Sequence, residues 1–531
     1  MSKQLVTSSI SAPGFAGLNL QDAPTSLESG FAIEANNCVI DKFGRIGARK
    51  GWTTYLPSNS DLSTADVETI AEIQSPTGTN QLFAAGNNKL FLSTGTALAV
   101  KSVRNTGDTA NLTYTISDSH WQVASLPDNT NVKARAVIVQ EGQEALVLSY
   151  SSVTSSYVFR RLGDLAALPN VPVAHSTATF KPNCALAAYG RVWLADIAND
   201  RQTVYFSDLL DPLNFQTGTA GSLDIAEVVG DGDRIVSLAA HNGFLLIFCE
   251  RHVVVYSNAQ DPASMALGDV VNGIGCVARD SVQATGSDYI FLSSSGVRSF
   301  ARTIQEKSMP MRDMSKNVRD DLLFTLSLAT AKTIKSGYSP TDAFYLLSFP
   351  EQDTVYCFDT RAFLQDGSAR TTTWDTISPT AFCTLANRDL LLGQAGYIGL
   401  HGEYTDNSAH YRMSYYSSYF DFQQPTTTKI LKKVQMLVVG AQNQDITLKW
   451  DFDFKRAYQS ATIVVDPTEI AEYGIGEYGL DSYAGGIIIF SLNLNAGGTG
   501  KVLQLGFETD IDNNAVSIQK VDVFVKGGKT L

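Results

Sequence analysis

The chain has 531 residues, of which 44% are hydrophobic and 18% are charged, and this composition excludes an intrinsically disordered protein. Forty Lys and Arg against 53 Asp and Glu give a formal net charge of -13, which argues against a surface that wraps duplex DNA. A chain of this length is too long for one hydrophobic core, so we expect two or three domains.

Residues 1–60 are predicted to form an N-terminal arm and a small capping element. Thr25 and Glu28 have the spacing of a capping box, and Phe31, Ala32 and Ala35 could then share one face of a short helix. The first residues lack the apolar stretch of a signal peptide, and no run approaches the roughly 18 apolar residues that span a bilayer. We therefore expect synthesis and folding in a cytoplasm, without membrane insertion.

A glycine-punctuated turn that carries four cations follows in residues 42–52. Its simplest interpretation is a solvated hairpin. The alternative is a docking patch for an acidic partner or for phosphate, and the candidates for this role are Arg45, Arg49 and Lys50.

A unit of two short apolar strands recurs in residues 61–405, most clearly at 184–208 and 236–258. Successive turn centres lie 43 to 64 residues apart, at Gly78, Gly142, Gly190, Gly243, Gly286, Asp342 and Asn387. A propeller blade of four strands takes about 40 to 50 residues, and one blade cannot bury both of its faces alone. The repeat therefore predicts an all-β fold, a six- or seven-bladed β-propeller with an N-terminal arm and a C-terminal β-sandwich.

Two features stand out in the segments between the repeats. Asp231, Asp233 and Glu250 are carboxylates at turns, and we expect them to line a channel, where negative charge would keep a passing duplex from adhering.

The second feature is helical spacing after Ser315, where residues 318, 322 and 326 are apolar and lie four apart. This spacing predicts a helix packed on the rim of a blade.

Residues 406–531 have a different pattern, in which apolar and polar residues alternate. The clearest case is 444–455, where Ile446, Leu448 and Trp450 alternate with polar residues, as in a half-buried antiparallel strand. Further strands are expected at about 427–439, 460–466, 486–494, 501–508 and 515–526. Six such strands predict a small sandwich, separate from the ring.

A glycine- and tyrosine-rich segment interrupts this C-terminal region. Residues 474–479 match the dinucleotide fingerprint GxGxxG formally, but no helical pattern follows them, so we expect no cofactor there. Tyrosines give large contact areas at low entropic cost. Tyr473, Tyr478 and Tyr483 are therefore candidates for docking a protein partner.

The remaining motifs do not indicate catalysis or metal binding. The six histidines have no HExxH spacing, the six cysteines contain no CxxC pair, and no GxSxG elbow occurs. We expect buried free thiols. Asp231 with Asp233, and Asp451 with Asp453, are carboxylate pairs by proximity alone. The sequence therefore predicts a protein without metal, cofactor or enzymatic activity.

Several stretches together are similar to one family of virion proteins. They are the arm Gly14–Asn19, the turn Arg49–Trp52, and the strand regions 190–197, 203–212, 242–257 and 345–359. With these stretches the chain resembles the tail nozzle proteins of short-tailed bacteriophages, also called packaged-DNA stabilisation or tail hub proteins.

The resemblance implies a structural role in a virion tail that is assembled in the host cytoplasm. It implies a homo-oligomeric ring, usually of six copies, that extends the channel of the portal and its adaptor, retains packaged DNA and conducts it at ejection. The partners it implies are the portal adaptor, tail fibres or spikes, a distal plug, and double-stranded DNA as passing cargo. The segment 473–486 has no counterpart in this resemblance.

Two other interpretations remain open at this point. One is a carbohydrate-active propeller that degrades a glycan of the host surface, for which convergent carboxylates would be needed. The other is a cellular scaffold of the WD type, against which the missing Gly-His and Trp-Asp dipeptides count.

Overall fold

The computed structural model describes residues 5–230, 232–286, 288–300, 313–440, 444–465 and 489–530. Six separate sheets of three to five strands, together with one end of a ten-stranded sheet, form a ring of seven blades. The first strands of neighbouring blades contact each other, through the short helix Arg279–Ser281 between blades 4 and 5. Ala381–Thr384 of blade 7 lies against Val67–Ile73 of blade 1 and closes the ring. The predicted all-β propeller is confirmed.

The first three blades follow one another along the chain. Blade 1 consists of Val67–Ile73, Gln81–Gly86, Lys89–Ser93 and Leu98–Lys101. Blade 2 consists of Gln122–Ser125, Ala136–Val139, Leu146–Ser151 and Ser156–Arg161, and Val103–Arg104 pairs with its last strand in parallel. Blade 3 consists of Pro182–Ala188, Arg191–Ile197, Asp200–Phe206 and Gly221–Asp224.

The other four blades complete the ring. Blade 4 consists of Ile235–His241, Phe244–Cys249, His252–Ser257 and Ala266–Asn272. Blade 5 has three described strands, Gln283–Ala284, Tyr289–Ser293 and Gly296–Ser299. Blade 6 consists of Lys335–Ser339, Phe344–Phe349, Thr354–Phe363 and Ala369–Trp374. Blade 7 combines Ala381–Thr384, Leu390–Gln394 and Tyr397–Gly402 with the N-terminal strand Gly51–Leu56.

The turn residues explain why the sequence reveals the repeat and why the first spacing between turn centres is too long. Gly78, Gly190, Gly243 and Gly286 lie between the first and second strands of their blades and have positive φ, which glycine adopts without strain. Gly142 also has positive φ but lies between the second and third strands of blade 2. The long first spacing of 64 residues therefore reflects a turn counted one strand too late.

The strand Gly51–Leu56 places part of the N-terminal region inside the ring. Its residues pair antiparallel with Tyr397–Gly402 and supply the fourth strand of blade 7. Because this strand joins the beginning of the propeller to its end, it closes the ring by backbone hydrogen bonds. The boundary predicted at residue 60 therefore cuts through the propeller rather than preceding it.

The short helix expected in the capping element is not present. Phe31–Asn36 and Cys38–Ile40 are strands, and Phe31–Asn36 pairs antiparallel with Tyr411–Ser417. The partner strand lies almost 400 residues further along the chain, so no local pattern could predict this pairing. The capping-box spacing of Thr25 and Glu28 therefore suggested a helix where a strand forms. Tertiary context overrides weak helix propensity in such cases.

The C-terminal strands form the predicted sandwich of two sheets. The seven-stranded sheet contains Leu5–Ser11, Cys38–Ile40, Ile46–Ala48, Thr427–Gly440, Ile489–Leu494, Gly498–Gly500 and Val516–Thr530. The ten-stranded sheet continues from blade 6 through Phe31–Asn36, Tyr411–Ser417, Leu503–Ile511, Asp445–Phe452 and Gln459–Val464, and Gly17–Leu18 pairs with Phe31–Asn36. All six C-terminal strands expected from alternation are found.

The sandwich is continuous with the ring, which corrects the expectation of a separate domain. Asn36 of the N-terminal region pairs with Thr373 at the edge of blade 6. One hydrophobic cluster then runs from Tyr345 in blade 6 to Leu448 and Phe507 in the sandwich. Because a sheet and a core are both shared, the two lobes are held together over a wide area.

Helices are few and short among the described residues. The predicted helix is found at Arg319–Leu328, after the turn Lys316–Val318, and its Leu322 side chain is fully buried. The other helical segments are Leu162–Leu165, Ala226–Val229, Pro262–Ser264, Arg279–Ser281 and Pro350–Gln352. In the described part of the chain, none of the helices has the length and apolar character needed to cross a membrane.

The cysteines agree with the sequence prediction of free thiols. All six are unpaired, five are buried, and Cys383 is partly buried. Burial raises the pKa of the Cys383 thiol to about 12, so it stays protonated at neutral pH. These side chains behave as small hydrophobic residues of the protein core.

Candidate functional site

A polar cavity of about 320 Å³ lies at the axis of the propeller, at the end where the first strands of the blades begin. Loops and strand ends of blades 2 to 6 contribute to its wall, including Asp118, His120, Gln140, Asn183, Arg234, Arg279, Asp280 and Lys332. Charged groups of both signs face each other across a small space. This is the size of a small-molecule or ion site rather than of a passage for duplex DNA.

A mostly buried ion network made by Arg279, Asp280 and Lys335 lies at the axis beside this cavity. Arg279 donates through Nε to Asp280 at 2.8 Å, and Lys335 forms an ion pair with the same carboxylate. Burial raises the pKa of Asp280, but the two cations outweigh it and hold the pKa well below its usual range. The carboxylate is therefore charged in the folded protein.

Arg279 also links three blades through its remaining donors. Its Nη1 donates to the backbone and side-chain oxygens of Asn183 at 3.0 and 2.8 Å, and its Nη2 donates to the His120 carbonyl at 2.9 Å. His120 precedes blade 2 and Asn183 belongs to the first strand of blade 3. The guanidinium therefore fastens the ring at its centre, as a planar group with five donors can.

The predicted channel carboxylates have three different outcomes. Asp231 lies outside the described residues. Asp233 is buried, accepts the backbone N–H of Arg234 at 2.9 Å and lies 2.6 Å from Nδ1 of His252, so it does not face a channel. Glu250 is exposed and lies 3.1 Å from Nε of Arg234, a residue that lines the axial cavity.

Two of the predicted docking cations, Arg45 and Lys50, line a cleft of about 530 Å³ between the propeller and the sandwich. Arg45 is paired with Asp41 at 2.7 Å and stacks over the exposed Phe43 ring at 4.5 Å. Lys50 is paired with Asp342 at 2.7 Å. Both remain at the surface of the cleft, so their docking role stays a prediction.

Arg49 is not available to a partner, which corrects its assignment as a docking residue. Its side chain is fully buried and makes a bidentate pair with Asp406, at 2.8 and 2.6 Å. Its Nε donates to Asn37 at 2.9 Å, and its guanidinium lies 3.9 Å from the centre of the Tyr411 ring. The residue instead joins the arm to the end of blade 7 and to the sandwich.

Among the described residues, the other candidate positions form no catalytic arrangement. Tyr473, Tyr478 and Tyr483, with the GxGxxG match, lie outside the described residues. Asp451 is buried and accepts the backbone N–H of Arg456, whereas Asp453 accepts that of Lys501. These two carboxylates hold local turns.

Sequence reasoning missed one cluster with metal-binding chemistry. Glu68, Asp118 and His120 bring one ligand atom each to within 4.8 Å of one another, and within the described ranges no other group of three such residues does so. Glu68 lies 50 positions before Asp118, and the histidine spacing motifs of metal sites span only one helix or hairpin. Only the packing of blade 1 against blade 2 unites them.

His401 gives a prediction about the pH dependence of stability. It stacks on Trp374 near Arg49, Lys50 and Asp342. Burial is the main cause that lowers its pKa to about 4, the two cations add to this, and Asp342 opposes it. Because the folded pKa is below the unfolded value of about 6.5, the stabilisation exists above pH 6.5 and is lost as the pH falls toward 4.

We therefore expect His401→Gln to unfold with a flatter pH dependence than the wild type between pH 6.5 and 4. Urea unfolding at several pH values measures this slope. His410→Gln is the matched control, because His410 is exposed, and its slope should equal that of the wild type. An unchanged slope in His401→Gln would contradict the assignment.

Fold and site together define an all-β protein built on a seven-bladed propeller fused to a sandwich. No protein-family model and no curated protein matches the chain.

Among solved structures, the chain is similar to the WD40 domain of Neurospora crassa Pan2, with 9% identity, 67% of this chain and 95% of that chain covered, and a TM-score of 0.37. It is also similar to the extracellular domain of a one-component system from B. thetaiotaomicron, with 11% identity, 90% and 64% covered, and a TM-score of 0.41. A third is Kuenenia stuttgartiensis hydrazine synthase, with 10% identity, 65% and 97% covered, and a TM-score of 0.35. At this identity the likeness concerns the fold alone.

Proposed function

We propose that this chain is a structural subunit of the tail nozzle of a short-tailed bacteriophage. One observation carries the proposal: the segments that resemble nozzle proteins form the frame of the molecule. The arm Gly14–Asn19 pairs through Gly17–Leu18 with Phe31–Asn36, where the ring and the sandwich join. The turn Arg49–Trp52 is anchored by Asp406 and enters the strand that closes the propeller.

The geometry supports a conduit formed between copies rather than through one propeller. Arg279, Asp280 and Lys335 fill the axis of the ring, and the cavity beside them holds about 320 Å³. A duplex must therefore pass along the outside of each propeller, through the centre of a ring of chains. The net charge of -13 supports weak adhesion of DNA to such a wall.

The proposed partners follow from this role. The ring contains several copies of the chain, with six as the expected number, and stacks on the portal adaptor in the virion tail. Tail fibres or spikes and a distal plug would contact its other surfaces. Arg45 and Lys50 at the cleft are proposed contacts for an acidic partner.

Electron microscopy of the purified chain, alone and with a portal complex, tests the proposal. We expect closed rings of six copies that stack coaxially on the portal. A chain that stays monomeric with the portal, and that is missing from purified virions, would overturn it. Depolymerisation of a host surface glycan by the purified chain would instead favour the carbohydrate-active alternative.

A further inference from the structure

Glu68, Asp118 and His120 form a three-sided cluster at the axial end of blades 1 and 2. His120 Nε2 lies 3.8 Å from Glu68 Oε1 and 3.6 Å from Asp118 Oδ1, which is too far for hydrogen bonds. Two ligand atoms on a tetrahedral ion with bonds of about 2.1 Å lie roughly 3.4 Å apart. Both histidine distances are therefore within a few tenths of an ångström of this spacing, and the two carboxylates lie within 4.8 Å of each other.

Hydrogen bonds from neighbouring strands and loops hold the backbone of the cluster in place. Thr69, next to Glu68 in the first strand of blade 1, donates to the Ser119 carbonyl at 2.6 Å and accepts the Trp121 N–H at 2.8 Å. These two bonds hold Ser119 and Trp121, the residues on either side of His120, in place. Arg279, in the short helix between blades 4 and 5, donates to the His120 carbonyl. Metal sites need ligands held in place in this way.

A second, independent observation indicates a polar ligand in this cavity. Gln140 is only 2% exposed and lines the same cavity as Asp118 and His120. Both its side-chain oxygen and its nitrogen are buried without a hydrogen-bond partner, and so is Nδ1 of His120. Buried polar groups are normally paired, because an unpaired one costs about 1–3 kcal/mol. A bound ion with its waters would satisfy the amide.

The donor set selects the class of ion. An imidazole with two carboxylates suits Mn²⁺ or Zn²⁺, whereas Mg²⁺ and Ca²⁺ prefer oxygen ligands alone. Lys332 donates to Asp118 Oδ2 at 2.5 Å and is a local competitor for that carboxylate.

We propose that Glu68, Asp118 and His120 bind one divalent transition-metal ion of the Mn²⁺ and Zn²⁺ class, with water molecules in the cavity that Gln140 lines completing its coordination. The ion ties blade 1 to blade 2 near the axis and so stabilises the ring. The proposal is independent of the role in a virion, because it depends only on residues within one chain.

Titration of the full chain with Mn²⁺, followed by electron paramagnetic resonance of the free ion, tests the proposal. Mn²⁺ avoids the thiols that Zn²⁺ would seek. We expect one ion per chain, and a rise in melting temperature of roughly 2–4 °C at saturation. Glu68→Gln and Asp118→Asn should weaken binding at least about 100-fold, as loss of a direct ligand does. Mg²⁺ should bind much more weakly than Mn²⁺.

Two variants keep the test decisive. Lys332→Met keeps every ligand and removes the competing cation, so it should bind Mn²⁺ several-fold more tightly than the wild type. Glu227→Gln, at an exposed carboxylate of another blade, should bind as the wild type does. Absence of binding in both wild type and Lys332→Met would overturn the proposal. Equal binding in Glu68→Gln and Glu227→Gln would also overturn it.

Discussion

Replacement of Arg49 by methionine is expected to lower the free energy of unfolding by about 3–5 kcal/mol. The substitution leaves Asp406 partly buried without its bidentate partner, and it removes the donor to Asn37 and the cation over the Tyr411 ring. Because these interactions of Arg49 join the arm, blade 7 and the sandwich, the two lobes should be destabilised together. Chemical denaturation monitored by tryptophan fluorescence and circular dichroism measures the change.

Arg45→Met is the matched control for this prediction. Arg45 lies in the same turn and also pairs with an aspartate, but Asp41 belongs to that turn too, four positions away, so the pair joins no separate parts of the fold. Loss of one local pair should cost about 1 kcal/mol, so the control should lose much less stability than Arg49→Met does. If Arg49→Met were as stable as Arg45→Met, the buried pair would not hold the lobes together.

The second large effect is expected at the centre of the ring. Asp280→Asn should lower the free energy of unfolding by about 3 kcal/mol, because the buried Lys335 and the mostly buried Arg279 would lose their shared counter-charge. Charged partners hold the pKa of Asp280 low, so the same stabilisation is present near neutral pH and is lost in acid as the carboxylate is protonated. Thermal and urea unfolding near pH 7 measure the effect.

A double-variant cycle separates this network from simple loss of a carboxylate. Lys335→Met in the Asp280→Asn background should recover part of the lost stability, because it removes one of the unpaired cations. Asp61→Asn is the control, since its pair with Lys89 is well exposed and should be worth less than about 1 kcal/mol. Strictly additive effects of Asp280→Asn and Lys335→Met would contradict a coupled network.

Much of the fold was predictable because its signals are local. Ile446, Leu448 and Trp450 alternate with polar residues and are buried on one face of the strand Asp445–Phe452. Gly190 and Gly243 mark turns that any single blade must make. Such patterns depend on a few consecutive residues, which is why the number and class of elements were predicted well.

The candidate site was predicted less well, because burial and pairing are not local. Asp233 in its glycine-rich turn and Arg49 in its cationic turn both have the sequence context of exposed charges. The fold brings His252 to the first and Asp406 to the second, and both charges become internal. Glu250 alone among the described channel candidates stays near the axis at the surface.

Local patterns were enough to predict a propeller of repeated short strands with a β-rich C-terminal region, since alternation and turn glycines involve neighbouring residues, and the absence of CxxC pairs predicted free thiols. The packing of whole sheets was needed to show that Gly51–Leu56 closes the ring, that Asn36 joins the ring to the sandwich, and that Glu68 meets His120 at the axis. These contacts unite residues tens to hundreds of positions apart. Their existence depends on how whole sheets pack, which no local pattern records.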